Sequence, residues 1–302
     1  MAGTPEDRAL HWAWMKLPSH ESISSIHLTS PSDQPMSTTE QYSGGYSSLV
    51  VDQFKQRTLA RQGAFVLPHF RAGLTVLDCG CGPGSMTLDV ADLVHPGQVF
   101  ALDSSPIQIE QALLLQKQRA TANVSFITGS AYALPYVDEQ FDVVFAHALL
   151  YHLRNPAQAL AEFRRVLKRG GIVAIRDACH TGDMMMPESP ELTATWETIG
   201  KVFAHHGGNI NFGGQHKQML LDQGFRDITI SCSYDMFASV AEKNDICRYW
   251  QTYLATDHRP LILEQHWLTE AELERQCASL AAWCAHPASF FARARCEAIA
   301  SK

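Results

Sequence analysis

Between residues 74 and 178 short apolar runs alternate with stretches of helical period. Leu74 to Leu77 is apolar with a β-branched residue, and Ser85 to Val94 follows with Met86, Leu88, Leu93 and Val94 apolar and Asp89 and Asp92 polar. That pattern predicts a strand leading into a helix. Gln98 to Leu102, Val124 to Ile127, Phe141 to Ala146 and Ile172 to Ile175 repeat the strand pattern. The near-continuous apolar run at 141–146 suits a parallel strand covered on both faces. Ser105-Pro106 and Asn155-Pro156 are helix starts, with a capping side chain followed by proline at the first helical position. Lys168-Arg-Gly-Gly171 closes the second of these helices. The regular alternation predicts a parallel sheet with right-handed crossovers.

The flanks break this rhythm. Residues 1–40 are polar, carry prolines at 5, 18, 31 and 35, and read as an N-terminal extension. Tyr42 to Tyr46 is a turn, and Ser47 to Leu67 predicts one helix or two, with Leu49, Val50, Phe54, Leu59 and Phe65 apolar and Pro68 ending it. Ser189-Pro190 opens a helix that runs to about His206, and Gly207-Gly208 stops it. Lys217 to Gln223 continues as a short helix, Arg226 to Ser231 is a sixth strand and Phe290 to Ile299 a last one. Between those two strands, Ser239-x-x-Glu242 and Thr269-x-x-Glu272 are capping boxes that open further helices. Segments at about 181–216 and 239–285 therefore read as lid insertions, rich in Met and aromatic residues that could line an apolar pocket or simply pack helices on the sheet.

Composition narrows the function. The chain has 302 residues, 46% hydrophobic and 18% charged, with a net charge of −7 and no basic run, so nucleic acid is not an expected partner. Nothing approaches a membrane-spanning apolar stretch and no signal-type segment opens the chain. The eight scattered cysteines read as reduced thiols of a cytoplasmic protein. Cys79-x-Cys81 is too tightly spaced for a zinc pair, and His205, His206 and His216 lack companions at ligand spacing, so no metal is expected.

The candidate chemistry gathers at the predicted strand ends. Gly80, Gly82 and Gly84 follow Asp78 and let a ligand approach the backbone. Ser85 stands where a dinucleotide fingerprint needs its third glycine, so the spacing is D-x-G-x-G-x-G. Asp103, nineteen residues beyond Gly84, stands where Rossmann-like domains bind a ribose. Asp78, Asp103, Ser130, His147 and Asp177 all fall at carboxyl ends of strands, where such sheets bind ligands. His147 is the best candidate base, with a passive imidazole as the alternative; His152 could serve with it, and Asp177 could orient a base or substrate.

Four segments in order carry a resemblance: VLDCGCGPG (76–84), ALDSS (101–105), GSAYALPYVDEQFDVVFAHALLYHL (129–153) and RVLKRGGIVAIRDA (165–178). Together they resemble the class I S-adenosylmethionine-dependent methyltransferases, within the group similar to the ubiquinone/menaquinone-type (methyltransferase type 11) small-molecule enzymes. The resemblance covers residues 41–302 and implies an α/β Rossmann-like, doubly wound seven-stranded sheet of order 3-2-1-4-5-7-6 with the last strand antiparallel. It implies S-adenosylmethionine as cofactor, held by Asp78, Gly80, Cys81, Gly82, Gly84, Asp103, Ser104, Ser130, Ala131 and His147. Arg57 could pair with the methionine carboxylate, a planar anion that suits a guanidinium, or form a surface salt bridge, and Tyr42 and Tyr46 could close over the cofactor or pack in the core. Two departures stand out: Ser130 occupies a position usually acidic, and Arg169 replaces a usual proline. The implied function is methyl transfer to an O, N or C nucleophile of a small metabolite. The alternative is a cofactor-binding protein of the same fold that acts as a binding module or non-methylating catalyst. The expected partner is the small-molecule acceptor, with no membrane association and a homodimer left open.

Overall fold

The computed structural model describes residues 57–302. Its strands are β1 (Thr75–Cys79), β2 (Gln98–Asp103), β3 (Val124–Thr128), β4 (Phe141–His147), β5 (Leu167–Ala178), β6 (Met184–Met186), β7 (Arg226–Phe237) and β8 (Phe290–Ser301). The sheet runs β3-β2-β1-β4-β5-β8, with β7 on the far side of β8. The first five strands are parallel, and β8 is antiparallel to both β5 and β7. With the long strands counted in chain order this is the expected 3-2-1-4-5-7-6.

The eighth strand was not expected. β8 is 12 residues long, and β5 pairs only with its 295–301 end. The chain turns after β5 and returns as β6 to pair with 290–292, so Met184–Met186 prolongs the edge that β5 began. β7 is likewise longer than its apolar pattern. Its far half, Cys232–Phe237, pairs on with β8 and turns Ser233 and Asp235 inward while Tyr234 and Met236 are exposed, the reverse of a core-facing pattern.

Helices cover both faces. On one, α1 (Leu59–Gln62), α2 (Ser85–Val94) and α3 (Pro106–Arg119) bury Leu59, Leu88, Val90, Ile109 and Ala112 against Val76, Val143, Phe145 and Ala174. The predicted helix through Leu67 does not form. Thr58 caps α1, Gly63 ends it after one turn, and Leu67–His69 is a separate 3-10 turn around Pro68; the part of that prediction before residue 57 lies outside the described residues. On the other face α4 (Pro156–Val166) and α6 (His216–Asp222) bury Leu160, Phe163 and Leu220. Ser105 and Asn155 accept from Gln108 and Gln158 N–H as N-caps, each followed by proline.

The remaining helices, α5 (Pro190–His205), α7 (Val240–Thr252), α8 (Arg259–Glu264) and α9 (Glu270–Ala285), pack on one another beyond the carboxyl end of β5. Trp196 of α5 meets Trp250 of α7 at 5.3 Å and Phe291 of β8 at 5.5 Å. Gln276 of α9 donates to Thr198 of α5 (3.2 Å), and Trp283 donates to the Met186 carbonyl (2.9 Å). Both capping boxes form. One expectation fails: Cys247 of α7 and Cys284 of α9 are joined as a disulfide. The facing helices bring their Cα atoms to 6.4 Å, within bonding range. Among the described residues no helix is long and apolar enough to cross a membrane.

Candidate active site

The turn between β1 and α2 is built for close approach. Gly80, Gly82 and Gly84 have φ of +79°, +54° and +80°, a region that side chains disfavour. Gly84 is the N-cap of α2, so the helix begins with no side chain over its free amides. A Cβ on Gly82 would meet nothing within 4 Å, whereas one on Gly84 would meet Phe126 at 2.9 Å and Ala112 at 3.0 Å. Gly82 therefore presents open backbone, and Gly84 seats the turn on β3 and α3.

Two carboxylates hold the turn. Asp103, at the end of β2, accepts from Gly82 N–H on Oδ2 (2.9 Å) and from Ser105 N–H on Oδ1 (2.9 Å). Each oxygen keeps a second lone pair, so the same group can accept from a vicinal diol. Burial pushes its pKa up, and those amides pull it back. Asp78 is 2% exposed and accepts from Thr87 Oγ1 at 2.6 Å. Burial, set against the Thr87 bond, moves its pKa up to about 7. Asp78 thus anchors the turn from below, while Asp103 faces its rim.

At β4 and β5 the sheet turns polar on the face of α2. Neighbouring strands place directly opposed residues on one face, and His147, Arg176 and Glu297 are such partners on β4, β5 and β8. Arg176 is buried at the centre. It donates to Glu297 (3.1 Å), to His147 Nε2 (2.9 Å), and to Ser233 Oγ (3.0 Å) and Asp235 (2.9 Å) of β7. Arg295 donates to the other oxygen of Asp235 at 2.7 Å. Asp235 is opposed by burial, yet Arg295 and Arg176 hold its carboxyl well below the usual range. A guanidinium has only donors, so the His147 nitrogen facing it carries the lone pair and the proton sits on Nδ1. Burial, with Arg57 and Arg176 adding to it, pushes the His147 pKa well down.

After β4 the chain forms a 3-10 turn, Leu150–His152, and its rings build a wall. Tyr151 stacks on Phe203 of α5 at 5.5 Å and His152 on the same ring at 5.2 Å. Burial and then Arg57 keep His152 neutral by pushing its pKa well down. On the opposite face of β5, the Asp177 carboxylate meets His216 Nε2 at 3.0 Å and accepts from Tyr151 N–H at 3.4 Å.

Residues 70–224 match the family model described as a methyltransferase domain. The chain belongs to that methyltransferase family. It is 29% identical to an uncharacterised methyltransferase of Schizosaccharomyces pombe over 59% of this chain and 64% of that one. It is 35% identical to a demethylmenaquinone methyltransferase of Lactococcus lactis over 51% and 60%. The match thus spans about three-fifths of the length of these relatives. Among solved structures, the YcgJ protein of Bacillus subtilis superposes with a TM-score of 0.56 at 18% identity, covering 80% of this chain and 98% of that one.

Within the methyltransferase domain the anticipated residues separate into groups. Asp78, Gly80, Cys81, Gly82, Gly84, Asp103 and Ser104 converge on the β1 and β2 ends. Cys81 is half-buried, with its thiol pKa pushed well up by burial and by Asp78 and Asp103; Ser104 is exposed. Ser130 and Ala131 follow β3, and the Ser130 hydroxyl accepts from Tyr132 N–H (3.2 Å). Arg57 lies close enough to His147 and His152 for its charge to act on both. Tyr42 and Tyr46 lie outside the described residues.

The proposed catalytic roles of His147 and Asp177 find no support in this geometry. The lone pair of His147 is engaged by Arg176, and Asp177 lies behind β5, where it fixes the segment that carries His216. Sequence reasoning missed Arg176, Asp235, Arg293, Arg295 and Glu297. A signal was present: Arg293, Arg295 and Glu297 occupy alternate positions of an otherwise apolar last strand, which places three charges on one face.

Proposed function

We propose that the protein transfers the methyl group of S-adenosylmethionine to an O, N or C nucleophile of a small organic molecule. The observation that carries this reading is the turn of three positive-φ glycines beside Asp103, on the sheet edge that the aromatic wall also borders. These residues fit the cofactor. Open backbone at Gly82 admits a ligand, Asp103 has lone pairs for the ribose hydroxyls, and the start of α2 offers amides to a carboxylate. Ser130 and the Ala131 backbone suit the adenine edge.

The cofactor supplies an electrophilic methyl group when bound. What remains for the chain is to hold the nucleophile in line at about 3–3.5 Å and to exclude water. The Tyr151–His152 turn and Phe203 form one side of that enclosure, and the helices at 190–205 and 240–285 act as its lid. Proton removal by His147 is not part of this mechanism; positioning carries it.

The test is incubation of the full chain with methyl-labelled S-adenosylmethionine and a deproteinised metabolite extract. Label in a new small molecule supports methyl transfer. Tight cofactor binding with no label in any metabolite favours the non-methylating alternative.

A further inference from the structure

β8 brings two guanidinium groups to the lid side of the sheet that the charged network does not use up. Arg293 and Arg295 are two residues apart on one strand and so share a face. Arg295 is 2% exposed; its Nε is given to Asp235, and its Nη1 has no hydrogen-bond partner. Arg293 has neither Nε nor Nη2 partnered, and both atoms are buried. Its guanidinium carbon lies 5.1 Å from the ring of Trp250, 5.3 Å from Phe291 and 5.8 Å from Phe237. The neighbouring acid is already committed: Asp183 accepts from Ala294 N–H (2.7 Å) and from Trp196 Nε1 (3.4 Å).

Buried donors on an ionised group are costly to leave unpaired, and the planar fork of arginine matches a carboxylate. Aromatic walls beside such a fork suit a ligand with an apolar, flat body. Burial, with Arg295 beside it, pulls the Arg293 pKa down, and the Asp183 charge offsets this only in part. Arg176, by contrast, has every nitrogen hydrogen-bonded and is structural.

We infer that Arg293 and Arg295 together bind a carboxylate on the methyl acceptor, which makes the acceptor a small organic acid with an apolar, flat body. The inference rests on the methyl-transfer reading. The acid group is held at β8, while the nucleophile that is methylated lies toward β4.

The test uses the full chain with S-adenosylhomocysteine bound, titrated with benzoate and 2-naphthoate and with their amides. The readout is tryptophan fluorescence, since Trp250 flanks Arg293. At least one acid is expected to saturate the signal and to bind tenfold or more tightly than its amide, the scale of a charge-assisted bidentate contact. Arg293→Gln should abolish that preference and leave S-adenosylhomocysteine affinity unchanged. Arg293→Met should leave the melting temperature unchanged or raised, because no hydrogen bond is lost, which separates a ligand role from a structural one. Equal binding of acid and amide, or no response to either acid, overturns the proposal. So does a tenfold loss of S-adenosylhomocysteine affinity in Arg293→Gln, which would assign the arginines to the cofactor's own carboxylate. A wild-type chain that prefers the acids but does not bind S-adenosylhomocysteine would sink the methyl-transfer reading while leaving the carboxylate site standing.

Discussion

Asp78→Asn should stabilise the protein at high pH and not at low pH. The carboxyl is 2% exposed, bonds Thr87, and titrates at about 7 against an ordinary 3.8, with burial as the main cause. Because the folded pKa is the higher one, the native state binds the proton more tightly than the unfolded chain. The stabilisation is complete below about pH 4 and disappears as pH rises through 7. The difference between about 7 and 3.8 is worth at most about 4 kcal/mol. Asparagine mimics the protonated acid and still accepts from Thr87, but its amide hydrogens need partners, at a cost of about 1 kcal/mol. At pH 9 the variant should gain roughly 3 kcal/mol, or about 6–12 °C in Tm for a domain of this size. At pH 5 the two proteins should melt within about 3 °C of each other. Circular-dichroism melts of both proteins at each pH, without cofactor, give the difference directly. A variant less stable at pH 9, or an equal gap at both pH values, would refute the claim that burial of a charge dominates at this position.

Gly84→Ala places a Cβ at 2.9 Å from Phe126 and 3.0 Å from Ala112, at a φ of +80°; urea unfolding should show a loss of about 2–4 kcal/mol. Arg176→Met leaves Glu297 with hydroxyl donors but no guanidinium and Asp235 with Arg295 alone, and should cost about 3 kcal/mol in the same assay. His147→Gln keeps an acceptor for the Arg176 guanidinium, so methyl transfer should stay within about threefold of wild type with an unchanged pH profile. A fall of about 10²–10⁴-fold, the usual contribution of a general base, would restore His147 to that role.

Local signals made most of the frame legible. The helix starts at Ser105-Pro106, Asn155-Pro156 and Ser189-Pro190 and the two capping boxes depend only on neighbouring residues, and each forms where its sequence places it. The turn at 80–84 was legible for the same reason, because positive φ selects glycine locally. His147 shows the limit. Its place at the end of β4 could be read, but its partner is fixed by the pairing of β4 with β5. Arg176 is in turn fixed by Glu297, 121 residues away. Asp177 was assigned to the reacting edge because it ends a strand, yet adjacent strand residues point to opposite faces, and Arg176 took the edge instead. β6 was missed because three methionines before a helix carry no strand periodicity.

The central claim is that the glycine turn and Asp103 hold S-adenosylmethionine. Calorimetric titration of wild type and Asp103→Ala with S-adenosylhomocysteine, with NAD as control, tests it most directly. The account predicts saturable binding to wild type and none of NAD. It also predicts a loss in the variant of about 1.5–3 kcal/mol, roughly 10- to 150-fold in Kd, with the fold intact. Equal affinity of the two proteins would remove Asp103 from the site, and binding of NAD in place of S-adenosylhomocysteine would contradict the account.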